Sequence, residues 1–236
     1  MTTIVFASSK GGAGKTTAAV VLTGELARLG ASKNIKVTLI DADPNQHSAE
    51  WALKDGCPAN IALKSSDEDT LLDDIEQAQE QSGFVVVDLE GTANISVTHA
   101  IHCADLVVLP CQGSHYDAKE VVKTIKLIRS QSKIARRNIP FSILMTRTNP
   151  AIQPRGLKDI LSKFDQAGFD IFKCSLIERE AFRAIISFGG IVNDLDKKQV
   201  SGIEKAAQNA FAYAHEVINK IKGYNQDEEK RSAKHG

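Results

Sequence analysis

The chain has 236 residues, 42% hydrophobic and 25% charged, with 29 Lys+Arg against 29 Asp+Glu for a formal net charge of zero. These values exclude a disordered or collagen-like chain, and no apolar run approaches the ~18–20 residues needed to cross a bilayer. Bulk positive charge is excluded as a basis for nucleic-acid binding, so any such binding must come from a local patch.

Four cysteines without framework spacing (Cys57, Cys103, Cys111, Cys174) and no basic stretch before the first short apolar run point to a reduced, cytoplasmic setting.

The first apolar run is Ile4–Ala7. It leads into Ser9-Lys10-Gly11-Gly12-Ala13-Gly14-Lys15-Thr16-Thr17 and then a helical face, with Ala18, Leu22, Leu26 and Leu29 at offsets of 4, 4 and 3. A strand, a Gly-rich turn and a helix N-terminus form an anion site, because small residues let backbone N–H groups approach phosphate oxygens and the helix dipole adds attraction. Lys15 is placed to reach β- and γ-phosphates and the Thr16 hydroxyl to ligate Mg²⁺. The nucleotide-binding set of the loop is Gly11, Gly12, Ala13, Gly14, Lys15, Thr16 and Thr17.

Val37–Ile40 is the next run and ends in Asp41-Ala42-Asp43-Pro44; Phe84–Val87 follows and ends in Asp88. Leu106–Leu109 precedes a helical face of Ala118, Val121, Val122, Ile125 and Ile128, with Ser114 and Asp117 at capping-box spacing. Phe141–Met145 ends in Thr146-Arg147-Thr148-Asn149-Pro150, and Phe169–Phe172 is the sixth run. Each run is continuously apolar, as expected of strands covered on both faces.

A last helix is expected from about Ser201 to Ile221, with one apolar stripe, and a polar, disordered tail over 223–236. Strands alternating with helices predict one α/β domain over 1–222, a doubly wound, mostly parallel sheet with helices on both faces.

The phosphate loop departs from the ordinary one. Ser9 stands where the first glycine usually falls, and a second lysine, Lys10, opens the loop to give KGGxxKT. This resembles the deviant-Walker P-loop ATPases, including ParA and MinD. The resemblance spans Thr3 to about Ile221 and is strongest to short plasmid-partition ParA proteins and the related VirC ATPase of T-DNA transfer. It implies that Lys10 crosses a homodimer interface to the partner's nucleotide, offsetting the charge of two facing triphosphates.

Asp41-Ala42-Asp43-Pro44 is similar to the family's D-x-D-P motif. By that likeness Asp41 belongs to the magnesium shell and Asp43 orients the attacking water. Asp88 takes the Walker B place, holding Mg²⁺ through water. Lys10, Lys15 and Asp43 are then the catalytic set, and Thr16, Asp41 and Asp88 the metal set. After Asp88 the chain reads Leu-Glu-Gly-Thr where many relatives have a small residue and a proline, which leaves the role of Glu90 open. No guanine motif follows Phe141–Met145; that favours ATP over GTP, with Arg147 a candidate for the base pocket.

His99, His102, Cys103, Cys111 and His115 invite a zinc reading, but seven extended residues put ~23 Å between Cys103 and Cys111, too far for ligands ~2.0–2.3 Å from one ion. Basic positions available for DNA are Lys123, Lys126, Arg129, Lys133, Arg136 and Arg137, and Lys197, Lys198 and Lys205.

The resemblance implies a slow Mg²⁺-dependent ATPase that dimerises on ATP and binds double-stranded DNA without sequence specificity. It would segregate or position a plasmid or DNA cargo with a small ParB-like, centromere- or site-binding partner, on the nucleoid in the cytoplasm and not at a membrane. Starting at the first strand, the chain is expected to lack the helix-turn-helix domain of longer ParA proteins. The alternatives are a MinD-like ATPase acting at a membrane or scaffold, and an ATP-dependent ligase of dethiobiotin-synthetase type. The polar tail argues against the membrane and Lys10 against the ligase.

Overall fold

A computed structural model of the chain describes residues 1–91, 95–149 and 154–232. In chain order the elements are β1 (Thr2–Phe6), α1 (Lys15–Gly30), β2 (Val37–Ala42), α2 (His47–Ala52), β3 (Ile61–Ser65), α3 (Leu71–Gln81), β4 (Phe84–Leu89), α4 (Ile95–Cys103), β5 (Leu106–Cys111), α5 (His115–Ala135), β6 (Phe141–Thr148), α6 (Arg155–Gln166), β7 (Leu176–Ile177), α7 (Glu180–Phe188) and α8 (Ile203–Ser232). The strands form one sheet in the order β3-β2-β4-β1-β5-β6-β7, with every pairing parallel.

The apolar runs are continuous because successive side chains serve opposite faces. Ile4, Phe6, Val86, Leu106 and Val108 point into a core shared with α1, α7 and α8. Val5, Ala7, Val85, Val87, Val107 and Leu109 point into a second core under α3, α4, α5 and α6. Trp51 is fully buried in the first core, its indole N–H donating to the Gly190 carbonyl 2.9 Å away, so it is a packing residue. On α5, Ser114 and Asp117 make the reciprocal capping box that their spacing predicts.

Three expectations need correction. Phe169–Phe172 is not a strand: only Ile171 bridges to Ile143, and Phe169 packs against Phe141 and Phe164. The strand beyond β6 is β7, pinned where the Ile177 amide donates to Asn209 and Thr148 meets Ser175.

β3 escapes a search for apolar runs, because an edge strand with exposed positions carries no continuous one. Finally, α8 runs to Ser232, past the helix end expected at Ile221. Its extension is rich in helix-favouring Gln, Glu and Lys, and Tyr224 anchors it through a 2.7 Å hydrogen bond to Asp170. Residues 233–236 of the expected tail lie outside the described residues.

β1 sits at the centre, with β4 on one side and β5 on the other. The strand order reverses there, so the crevice beyond the carboxyl ends of β1, β4 and β2 is where such a sheet binds ligands. The register sets Asp88 beside both Phe6 and Asp41 at that edge.

Candidate functional site

Between β1 and α1 the backbone folds into a cradle. Gly12 and Gly14 have φ of 78° and 96°, a region that L side chains rarely adopt. A Cβ on Gly14 would also lie 3.3 Å from the Thr146 Cβ. Neighbouring strand ends hold the loop in shape: the Gln112 amide donates to the Gly12 carbonyl, and the Thr146 hydroxyl to the Ala13 carbonyl at 2.8 Å. Sequence reasoning does not single out Gln112 or Thr146; their only signal is a place just past the apolar run of β5 or β6. Gly11, Gly12, Gly14, Lys15, Thr16 and Thr17 line a cavity of about 480 Å³ with Asp43 and Glu90.

Lys15 is buried at the first position of α1. Burial lowers its pKa, while the carboxylates of Asp88, Asp43 and Glu90 raise it. Asp88 is 1% exposed, and neither carboxylate oxygen has a hydrogen-bond partner among the described residues. Burial pushes its pKa up to about 7; the nearby Thr16 hydroxyl opposes this without reaching hydrogen-bond geometry to either oxygen. Two orphaned buried oxygens beside a threonine hydroxyl are the hard donors a Mg²⁺ ion takes, so the residues present fit that ion.

The two aspartates after β2 differ. Asp41 is fully buried, and both its oxygens accept backbone amides, from Asp43 at 3.0 Å and Ala49 at 2.7 Å. It therefore ties the turn and the first turn of α2 to the sheet. Asp43 accepts from the Asn45 amide and side chain, both at 2.9 Å through one oxygen, and faces the cavity.

A second cavity of about 260 Å³ adjoins the first across Gly14, Thr17 and Arg147. Leu176, Ile177 and Phe182 give it an apolar wall, and Arg147, Glu178, Arg179 and Arg183 a polar rim. Arg147 sits at φ 51°, inside the register shift between β6 and β7. An apolar slot next to a phosphate cradle suits a purine ring. Sequence reasoning finds Arg147 but misses Glu178 and Arg179, which lie beyond the unanticipated β7.

Lys10 points away from its own cradle. Its ammonium lies 2.6 Å from an Asp117 oxygen, and the lysine is 46% exposed while Asp117 is 5% exposed. The Asp117 contact raises the Lys10 pKa. Burial alone would raise Asp117, but Lys10 and Ser114 outweigh it and hold the carboxyl low. Next to it, the Ser9 hydroxyl donates to Glu120 at 2.6 Å.

The basic residues are not all free to meet DNA. Lys123 pairs with Glu120 and Lys197 with Glu204, Arg137 holds the carbonyls of His102 and Ala104, and Arg129 lies over the Phe169 ring. Among the described residues, Lys126, Lys133, Arg136, Lys198 and Lys205 are exposed and carry no side-chain ion pair.

The family profile described as VirC1 protein matches residues 1–220. The chain is 36% identical over 222 residues to Protein ParA of Rhizobium radiobacter, covering 94% of this chain and 98% of the relative. It is 26% identical to the maintenance of carboxysome distribution protein A of Halothiobacillus neapolitanus, covering 87% and 93%. Among solved structures, the ATP complex of a Cyanothece McdA variant superposes with a TM-score of 0.73 at 18% identity, covering 92% of this chain and 96% of that one. The seven-stranded parallel sheet is the ParA/MinD-type P-loop fold, and the chain belongs to the VirC1 family, whose relatives include ParA.

Proposed function

We propose that this protein is a Mg²⁺-dependent ATPase that dimerises on binding ATP, holds double-stranded DNA in that form, and lets it go after hydrolysis. The observation that carries this reading is the orphaned, buried Asp88 carboxylate beside Thr16 and Lys15 in a glycine cradle. Such a site is built for a phosphate-bound cation.

Roles follow from placement. The loop amides and Lys15 take the phosphates. Thr16 and Asp88 hold Mg²⁺, whose bound charge offsets that of the triphosphate. Asp41 belongs to the same shell, and its backbone contacts make it the strut that fixes Asp43. Asp43 orients water, and Arg147 borders the base slot. Lys10 leaves Asp117 to meet the nucleotide of a second copy, closing the homodimer.

Dimerisation then makes DNA binding conditional. A neutral protomer with a few free lysines binds DNA weakly and loses it with salt. Pairing two patches raises avidity by roughly 10²–10⁴. The cargo reading is a plasmid or other DNA, segregated or positioned with a small ParB-like DNA-binding partner that speeds hydrolysis on the nucleoid. Among the described residues no helix is long and apolar enough to cross a membrane. The test is retention on nonspecific duplex DNA at low salt: a nonhydrolysable ATP analogue with Mg²⁺ is expected to produce both dimer and retention, and neither appearing would overturn the reading.

A further inference from the structure

Four carboxylates crowd the carboxyl ends of β2 and β4; two are tied by hydrogen bonds and a third is sealed by burial. Asp41 spends both oxygens on backbone amides. Asp43 has one oxygen held twice by Asn45. Asp88 is sealed at the bottom of the site beside Thr16. Glu90 is different: it is half-buried on the same cavity wall as Lys15, Thr16, Asp43 and Asn45, and among the described residues its carboxylate accepts no hydrogen bond.

Its backbone runs close against the phosphate loop. The next residue, Gly91, presses on the phosphate loop so closely that a Cβ there would lie 3.0 Å from the Gly11 nitrogen and 3.1 Å from the Lys10 carbonyl carbon. The residue after Glu90 thus abuts the loop, while the Glu90 carboxylate acts on Lys15 through charge and accepts no hydrogen bond among the described residues. Glu90 stands two residues beyond Asp88, just past the end of β4, and lines the same cavity as Lys15 and Asp43.

We propose that Glu90 is a water-positioning residue for hydrolysis of the terminal phosphate of ATP, acting beside Asp43; this rests on the ATPase reading above. Its free oxygens accept a hydrogen bond from the attacking water and aim it at phosphorus. The water oxygen forms the new bond to the γ-phosphorus, and the bond to the β–γ bridging oxygen breaks with its electron pair leaving on ADP. The water's protons pass to the released phosphate and to solvent. Two carboxylates on different segments act on one water: Asp43 stands on the turn that Asp41 braces, and Glu90 on the segment where Gly91 abuts the loop.

The experiment compares the parent, Glu90→Gln and Glu90→Asp in steady-state ATP turnover, and in binding of a fluorescent nonhydrolysable ATP analogue and fluorescent ADP, all with Mg²⁺. Glu90→Gln is expected to lower kcat about 100- to 1,000-fold, the scale of one positioned hydrogen-bonding group. It should also bind the ATP analogue a fewfold tighter, since a negative charge beside the terminal phosphate is gone, with ADP affinity within twofold of the parent. Glu90→Asp, which keeps the charge but shortens the reach, is expected to fall between the two in turnover. Turnover of Glu90→Gln within twofold of the parent would overturn the inference and leave the ATPase reading standing. Equal loss of affinity for both nucleotides would also overturn it, because that is what a merely structural residue does. A parent that binds no ATP would overturn the underlying reading instead, and the inference with it.

Discussion

The Lys10 ammonium rests 2.6 Å from the Asp117 carboxylate, on the first turn of α5 and not in the cradle formed by its own loop. The same carboxylate closes the capping box with Ser114. A cation parked on a buried acid cannot at the same time neutralise a neighbour's triphosphate. In the dimer proposed above, where Lys10 meets the nucleotide of a second copy, this contact would have to break in each protomer.

Asp117→Asn is therefore expected to free Lys10 while keeping a side chain that can cap α5. The contact is half-exposed, so its worth is modest. The dimer formed with a nonhydrolysable ATP analogue should appear at about two- to tenfold lower protein concentration, read by analytical ultracentrifugation. A dimer that weakens instead would show that Asp117 aims Lys10 and does not restrain it.

The pH dependence of that contact has a definite sign. Asp117 has a folded pKa below its ordinary value and Lys10 one above. The carboxyl's contribution is present above its unfolded pKa and is lost as pH falls through the lower, folded one. The stability advantage of the parent over Asp117→Asn should hold through neutral pH and shrink in acid below the usual carboxylate range. Urea unfolding at a series of pH values measures it.

Asp88→Asn separates stability from function. A buried carboxylate that accepts no hydrogen bond among the described residues is costly to the nucleotide-free fold. Removing it should raise the melting temperature of that form at pH 8 by roughly 2–4 °C, for a gain of about 1 kcal/mol. The same substitution should abolish Mg²⁺-dependent tightening of nucleotide binding, seen by titration calorimetry with and without the metal.

Gly91→Ala probes the seam between β4 and the phosphate loop. The added methyl must displace the backbone at Gly11, because it would lie 3.0 Å from that nitrogen. ATP affinity should fall about tenfold or more, since a small misplacement of a positioned group carries a large penalty. Far-UV circular dichroism should be unchanged.

Much of the fold is legible in the chain, for reasons that can be named. Strands buried on both faces write themselves as unbroken apolar runs, so β1, β2, β4, β5 and β6 are visible. Gly12 and Gly14 stand where the loop needs positive φ, and Lys15 follows them directly. What stays hidden depends on pairing across the sheet. Gln112 and Thr146 reach the loop from strands about 100 and 130 residues away in sequence, and β7 is two residues long with no periodicity to read. Asp117 is legible as a helix cap and silent as the resting place of Lys10, because that contact joins residues 107 apart.

Whether Lys10 closes the dimer is decided by sedimentation of the parent and Lys10→Ala with Mg²⁺ and a saturating nonhydrolysable ATP analogue. The parent should sediment as a dimer, and Lys10→Ala as a monomer that still binds nucleotide through Lys15. A Lys10→Ala variant that dimerises as readily as the parent would contradict the assignment.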